Sequence, residues 1–211
     1  MKGCFITGTG TGVGKTFFTA AWTRALRQRG IPALALKPIA CGDRADAELF
    51  AQTNGEILSL NEINPVFLAP PLSPHAACVI EDRPLDLSSL HDSVKAVTSL
   101  FPGPFLIEGI GGWMVPITRD YLVCDWAGEL GLPVCVVAQA GLGTINHSLL
   151  TIESIRQRGL KIAGIVMNFH QAPEDLASQT NPALLENLSG LPVLRFYGPE
   201  DLREPPPWLL L

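Results

Sequence analysis

A chain of 211 residues with 47% hydrophobic content can bury a sizeable core. The expected organisation is one domain over 1–211, with residues 199–211 as a tail free to be irregular. The formal net charge of −5 excludes the broad basic face of nucleic-acid binders. No apolar run approaches the roughly 18 residues of a membrane span. The opening MKGCFITGTG meets glycines too early for the apolar stretch of a signal peptide. The expectation is a cytoplasmic protein with no nucleic-acid or membrane partner. Cys4, Cys41, Cys78, Cys124 and Cys135 form an odd set with no C-x-x-C pair, which argues against a zinc site or a disulfide framework. Cys41 stands apart from the others in a polar, glycine-flanked turn.

Short apolar runs alternate with segments of helical period, the pattern of an α/β fold: a mostly parallel sheet with helices on both faces. The first strand is expected at Cys4–Thr7, followed by a helix over Lys15–Gly30 with Phe18, Ala21, Trp22, Ala25 and Leu26 on one face. A strand at Ala33–Lys37 and a helix at Arg44–Gln52 come next. From Asn54 to Asp86 there is no clear period, and Pro65, Pro70, Pro71, Pro74 and Pro84 suggest a long surface loop. Beyond it the pattern resumes with a helix at Leu87–Leu100, a strand at Pro104–Glu108 and a helix at Leu122–Leu130. The remaining elements are a strand at Val134–Ala138, a helix at Thr144–Arg158, a strand at Ile162–Met167, a helix at Glu174–Leu188 and a strand at Val193–Phe196. The ending EPPPWLLL cannot continue a helix and is expected to pack or fray.

Gly8-Thr-Gly-Thr-Gly-Val-Gly14-Lys15-Thr16 follows the first strand and opens the best helix. That is the context of a P-loop: glycines turn backbone amides toward phosphate, Lys15 neutralises charge, and the Thr16 hydroxyl can ligate Mg²⁺. The loop is a variant, since Thr9 stands where G-x-x-x-x-G-K-[ST] requires glycine. Mg²⁺ held with a nucleotide takes one or two carboxylates. Glu108 ends a strand at the edge where ligands bind in open α/β sheets, and Asp46 could reach the same metal or simply start a surface helix. Lys37 at another strand end is a candidate clamp on developing negative charge, with a snorkelling lysine as the plain alternative. Thr144-Ile145-Asn146-His147 begins a helix whose free amides suit a carboxylate, unless Thr144 is an ordinary cap. Asn168 at a strand end could read an adenine edge. His75 reads as a ligand, a base or a structural hydrogen-bonder.

Together these pieces resemble the dethiobiotin synthetase family from residue 1 to about residue 169. They are GTGTGVGKT at 8–16, KPIACG at 37–42, NP at 64–65, SPH at 73–75, EGIGGWMVP at 108–116, GLGTINH at 141–147 and the strand ending in Asn168. The resemblance implies a homodimer with ATP and CO₂ as co-substrates, Mg²⁺ as cofactor and 7,8-diaminopelargonate as substrate near the interface. The implied reaction carboxylates one amine, activates the carbamate with the γ-phosphate and closes a urea ring with the second amine. By the match, Gly12, Val13, Gly14, Lys15, Thr16 and Phe17 hold the nucleotide, with Gly109, Ile110, Gly111 and Asn168. Thr16, Asp46 and Glu108 hold the metal, and Lys15 and Lys37 are the catalytic cations. Thr11, Lys37, Cys41 and, from the other subunit, Gly143, Thr144, Ile145 and Asn146 contact the substrate. The sequence departs from relatives at Gly10 and Gly12, where some carry acidic residues, at Cys41, commonly a small hydroxyl residue, and around Arg195-Phe-Tyr-Gly198. Competing readings are a deviant-Walker partitioning or positioning ATPase, another amide- or urea-forming ATPase, and a silent scaffold. The first normally has an extra lysine five residues before the P-loop lysine, a place taken here by Gly10.

Overall fold

The computed structural model describes residues 1–170, 172 and 175–210. The chain runs through β1 (Gly3–Gly8), α1 (Lys15–Gln28), β2 (Leu34–Leu36), β3 (Ile39–Cys41) and α2 (Ala45–Thr53). It continues through α3 (Leu60–Ile63), β4 (Val66–Leu68), α4 (Pro74–Glu81), α5 (Leu87–Leu100) and β5 (Phe105–Glu108). The second half holds β6 (Pro116–Thr118), β7 (Tyr121–Leu122), α6 (Val123–Leu130), β8 (Val134–Gln139) and α7 (Thr144–Gln157). It ends with β9 (Ile162–Asn168), α8 (Leu176–Ser189), β10 (Val193–Phe196) and two 3₁₀ turns, Pro199–Leu202 and Pro207–Leu209.

Six strands form one sheet in the order β10-β9-β8-β1-β5-β2, and every pairing in it is parallel. Because side chains alternate along a strand, a sheet covered on both sides must be apolar at every position. Phe5, Phe105, Ile107, Val134 and Val136 join one core cluster with Phe50, Leu90 and Trp126. Their neighbours Cys4, Ile6, Leu106, Cys135 and Val137 join the other, with Phe18, Trp22 and Phe196. All five cysteines are free, and Cys4 and Cys135 are fully buried apolar fillers of this second face. The chain leaves β1 toward β2 on one side and later toward β8, β9 and β10 on the other. The carboxyl end of β1 therefore lies at the reversal of strand order, where open α/β sheets bind ligands.

The twelve regular elements expected from periodicity are present, with ends shifted by one or two residues; Glu174, the expected start of α8, lies outside the described residues. The loop reading of Asn54–Asp86 is overturned. That segment contains α3, β4 and α4, and β4 pairs in parallel with β3 as Ile39↔Val66, Ala40↔Phe67 and Cys41↔Leu68. α3 and β4 are too short to show a period, and the prolines sit where proline is tolerated: Pro65 just before β4 and Pro74 at the first position of α4. Cys41 accordingly ends a strand instead of lying in a turn. The antiparallel pair β6–β7 also went unseen in the sequence. The C-terminal segment packs: the Trp22 indole donates to the Leu209 carbonyl at 2.9 Å, and Trp208 lies on Gly164, where a Cβ would come within 2.8 Å of the ring.

β2 is an edge strand, yet its outer side is closed. Asn54, fully buried, accepts from the Ala35 N–H at 2.8 Å and donates to the Ala35 carbonyl at 2.9 Å, so one amide imitates a neighbouring strand. Truncation would strand two buried backbone groups. We expect Asn54→Ala to destabilise the fold by about 3 kcal/mol, lowering the thermal midpoint by roughly 10 °C in circular dichroism. An unchanged midpoint would refute this account of the edge.

Candidate active site

The loop that leaves β1 wraps back onto α1 through Gly14, whose φ of 92° is left-handed. A side chain there is barred twice, by that conformation and by Asn168, whose Nδ2 would lie 2.0 Å from a Cβ. Asn168 donates from Nδ2 to the Val13 carbonyl at 3.1 Å and accepts at Oδ1 from the His170 N–H at 3.0 Å. The end of β9 thereby buttresses the P-loop. Gly10 and Gly12 face open space, since a Cβ at either would meet nothing within 4 Å.

Beside this loop lies a cavity of about 310 Å³ lined by Thr11, Gly12, Gly14, Lys15, Thr16, Phe17, Lys37, Ala40, Cys41, Asp43, Asp46, Glu108, Ile110 and Gly111. Register explains the convergence. β5 pairs with β1 so that Glu108 is level with Ile6, two residues before the loop begins, and β2 lies on the other side of β5. Lys37 follows the last residue of β2 and reaches across. Its ammonium pairs with Glu108 Oε1 and, at 2.8 Å, with Asp46 Oδ2 from the first turn of α2. Thr16 donates to the same Glu108 oxygen at 2.9 Å, and Lys15 donates to the Gly10 carbonyl at 3.1 Å. Lys37 is thus a buried, paired cation and not a snorkelling one, and Asp46 is not a free surface residue.

The charges set one another. Burial acts to lower the Lys37 pKa, but Glu108 and Asp46 outweigh it and the net shift is upward, so this ammonium stays charged. Burial acts to raise the Asp46 pKa, but Lys37, helped by Thr16 and Lys15, more than reverses it, so the net shift is downward and Asp46 stays ionised. Lys15 is pulled down to about 8 by burial, opposed by Glu108 and aided by Lys37. Cys41 is pushed up to about 11 by burial, with Cys78 and Glu81 adding to it, so near neutral pH it is a thiol wall and not a nucleophile.

Lys15 and Lys37 stand against Asp43, Asp46 and Glu108, so the pocket has no excess of positive charge. A triphosphate entering it would face Glu108 and Asp46 with too little positive charge, a deficit that a divalent cation removes. The residues fit such an ion. Glu108 Oε2 is buried and has no hydrogen-bond partner, and the Thr16 hydroxyl and the Asp46 carboxylate stand in the same cavity. Among the described residues no three His, Cys, Asp or Glu side chains are placed to hold a metal ion by themselves. Mg²⁺ keeps waters and phosphate oxygens in its shell and asks for few protein ligands.

Of the residues expected from the sequence, Val13 and Gly109 lie behind the wall; the Gly109 N–H donates to the Ile6 carbonyl at 3.0 Å. Asn168 sits at the loop's back with both ends of its amide engaged. Gly143, Thr144, Ile145 and Asn146 do not line this cavity. Gly143 is the left-handed residue before α7, and the Thr144 hydroxyl is buried and unpartnered, so the ordinary Thr144 cap is absent. His75 lines a separate cavity with Arg83 and Arg119. Ala40 and Asp43 were missed, although their place within or beside KPIACG could have marked them.

A family model described as an AAA domain matches residues 2–195. The ATP-dependent dethiobiotin synthetase BioD of Akkermansia muciniphila is 39% identical over 92% of this chain and 91% of its own length. That of Anaeromyxobacter dehalogenans (strain 2CP-C) is 43% identical over 83% of this chain and 79% of its own. Among solved structures, a ParA family ATPase from Chlorobium tepidum superposes with a TM-score of 0.52 at 16% identity, covering 92% of this chain and 82% of its own. That likeness speaks for the fold alone. Fold and site together define a P-loop protein of the α/β class. Within that class, the chain belongs to the dethiobiotin synthetase family.

Free Lys15 loses its proton near pH 8, whereas a bound polyphosphate favours the ammonium. Nucleotide binding is therefore expected to take up protons at about pH 8.5 and none from this group below about pH 7, with affinity falling as pH rises between them. Calorimetric titration in buffers of different ionisation enthalpy checks this. Equal apparent enthalpies at the higher pH would disprove it.

Proposed function

We propose that the protein joins CO₂ to 7,8-diaminopelargonate at the expense of ATP, giving dethiobiotin, ADP and phosphate in the cytoplasm. The observation that carries this reading is the convergence of Lys15, Lys37, Asp46 and Glu108 on one cavity beside a P-loop, in a chain of this family. The chemistry brings three kinds of negative charge together: a triphosphate, a carbamate made from one amine and CO₂, and the phosphoryl group passing between them. Amides of residues 11–16 and the Lys15 ammonium hold phosphate oxygens. Thr16, Asp46 and Glu108 would hold Mg²⁺, which supplies positive charge to those oxygens when bound. Lys37, kept protonated by two carboxylates, offsets charge that grows as the carbamate oxygen bonds to the γ-phosphorus and ADP leaves. The second amine then attacks the carbamoyl carbon, the ring closes and phosphate departs. No protein nucleophile is needed, in keeping with a Cys41 thiol pushed up to about 11.

The helix start at Gly143–Asn146, displaced from the cavity of its own subunit, suits delivery of a carboxylate-binding site by a second copy. Leu142 is 94% exposed and Leu150 on α7 is 64% exposed, an apolar surface that a homodimer would cover. Adenine contact by Asn168 would require its amide to exchange Val13 or His170 for the base.

Purified protein with ATP, Mg²⁺, bicarbonate and the diamine should release phosphate only when the diamine is present, with dethiobiotin identified by mass. Phosphate release indifferent to the diamine would sink the assignment. Lys37→Gln is expected to lower kcat by about 10²–10³. Because it strands the buried Glu108 charge, it should also cost about 3 kcal/mol of stability. Adding Glu108→Gln should recover the melting point but not the rate. In sedimentation velocity, Leu150→Asp should shift the protein toward monomer and raise KM for the diamine; a dimer with unaltered KM would count against the shared site.

A further inference from the structure

Lys37 is held at both ends by residues outside the cavity. Its N–H donates to the Ile63 carbonyl at 3.0 Å, and its carbonyl accepts from Asn64 Nδ2 at 2.8 Å. Asn64 is 1% exposed, and Nδ2 also donates to the Val66 carbonyl at 2.9 Å. The other end of that amide is engaged too: Asn64 Oδ1 accepts from Arg44 Nε at 2.9 Å. Arg44 Nη2 donates to the Asn64 and Leu60 carbonyls at 2.8 and 3.0 Å and to Asn61 Oδ1 at 3.0 Å. Arg44 directly precedes α2, two residues before Asp46, the partner of the Lys37 ammonium. One guanidinium thus ties the segment that fixes the backbone of Lys37 to the helix turn that fixes its charge.

We propose that Arg44 and Asn64 form a single positioning unit for Lys37, setting where its ammonium stands in the cavity without touching substrate themselves. The inference rests on the catalytic reading of Lys37 given above. The plain competitor is a helix-end contact, since Leu60 and Asn64 offer carbonyls at the end of α3, where an arginine is welcome. That role would not require Asn64 to spend its own amide on the Lys37 carbonyl. Nor does α3 lack internal support, because Ser59 and Glu62 close its start reciprocally, the Ser59 N–H donating to Glu62 Oε2 at 2.7 Å.

The test compares Arg44→Lys, Arg44→Ala, Asn64→Ala and the double alanine variant in the diamine-dependent phosphate assay, with melting point and KM for ATP measured on each. A positioning unit predicts a loss in kcat of about tenfold or more with KM for ATP within about twofold. Lysine should not rescue Arg44, since it cannot donate through Nε and Nη2 together. The double variant should be no slower than the worse single one, because two parts of one device are not lost twice. The idea is overturned if folded Arg44 variants keep kcat while the melting point falls, or if kcat and KM for ATP deteriorate together. Should Asn64→Ala not fold, the two Arg44 variants decide the matter alone. A wild-type protein inactive toward the diamine would defeat the assignment of function instead, which separates the two failures.

Discussion

A carboxylate with no access to water cannot remain ionised without a counter-charge, and Glu108 is such a group. Satisfying it recruits Lys37 from the strand beyond and Thr16 from the first turn of α1, and Lys37 in turn holds Asp46. Four segments far apart in the chain are drawn to one point at the carboxyl end of the sheet. The parallel register makes this possible by setting Glu108 level with the last residues before the P-loop. The fold thus provides the address, and the ion pair provides the alignment.

How much of this could be read in advance follows from the length of each element. Strands such as Val134–Gln139 and helices such as Lys15–Gln28 are long enough for burial to impose a period on their residues, and they were found within a residue or two. A three-residue strand such as Val66–Leu68 or a four-residue helix such as Leu60–Ile63 has no period to show, so a stretch rich in proline passed for loop. The cavity was legible for a similar reason: glycines and charged residues at strand ends break an apolar pattern and stand out. The use of Arg44 and Asn64 to hold Lys37 left no such trace, because it depends on partners brought together only by folding. The helix start at Gly143–Asn146, expected to serve a second copy of the chain, does not line the cavity.

The misread segment changes the view of what that part of the chain does. In place of a long surface loop, the stretch around Asn64 is a buttress beside β2, with β4 extending β3 into a small second sheet whose last pair is Cys41 and Leu68. Cys41 is thereby fixed as wall, backed by Ala77 and Cys78. Loops that bind ligands are commonly carried by rigid scaffolds, and here the scaffold is built from the pieces least visible in sequence.

Lys15 and Lys37 face Asp43, Asp46 and Glu108, so the cavity carries no excess of positive charge to draw in stray anions. Inorganic phosphate or a metal-free polyphosphate meets a Lys37 ammonium already paired with two carboxylates and gains little by entering. A nucleotide that arrives with its own counter-ion meets no such obstacle. Such a balance of charge favours the loaded fuel over its fragments.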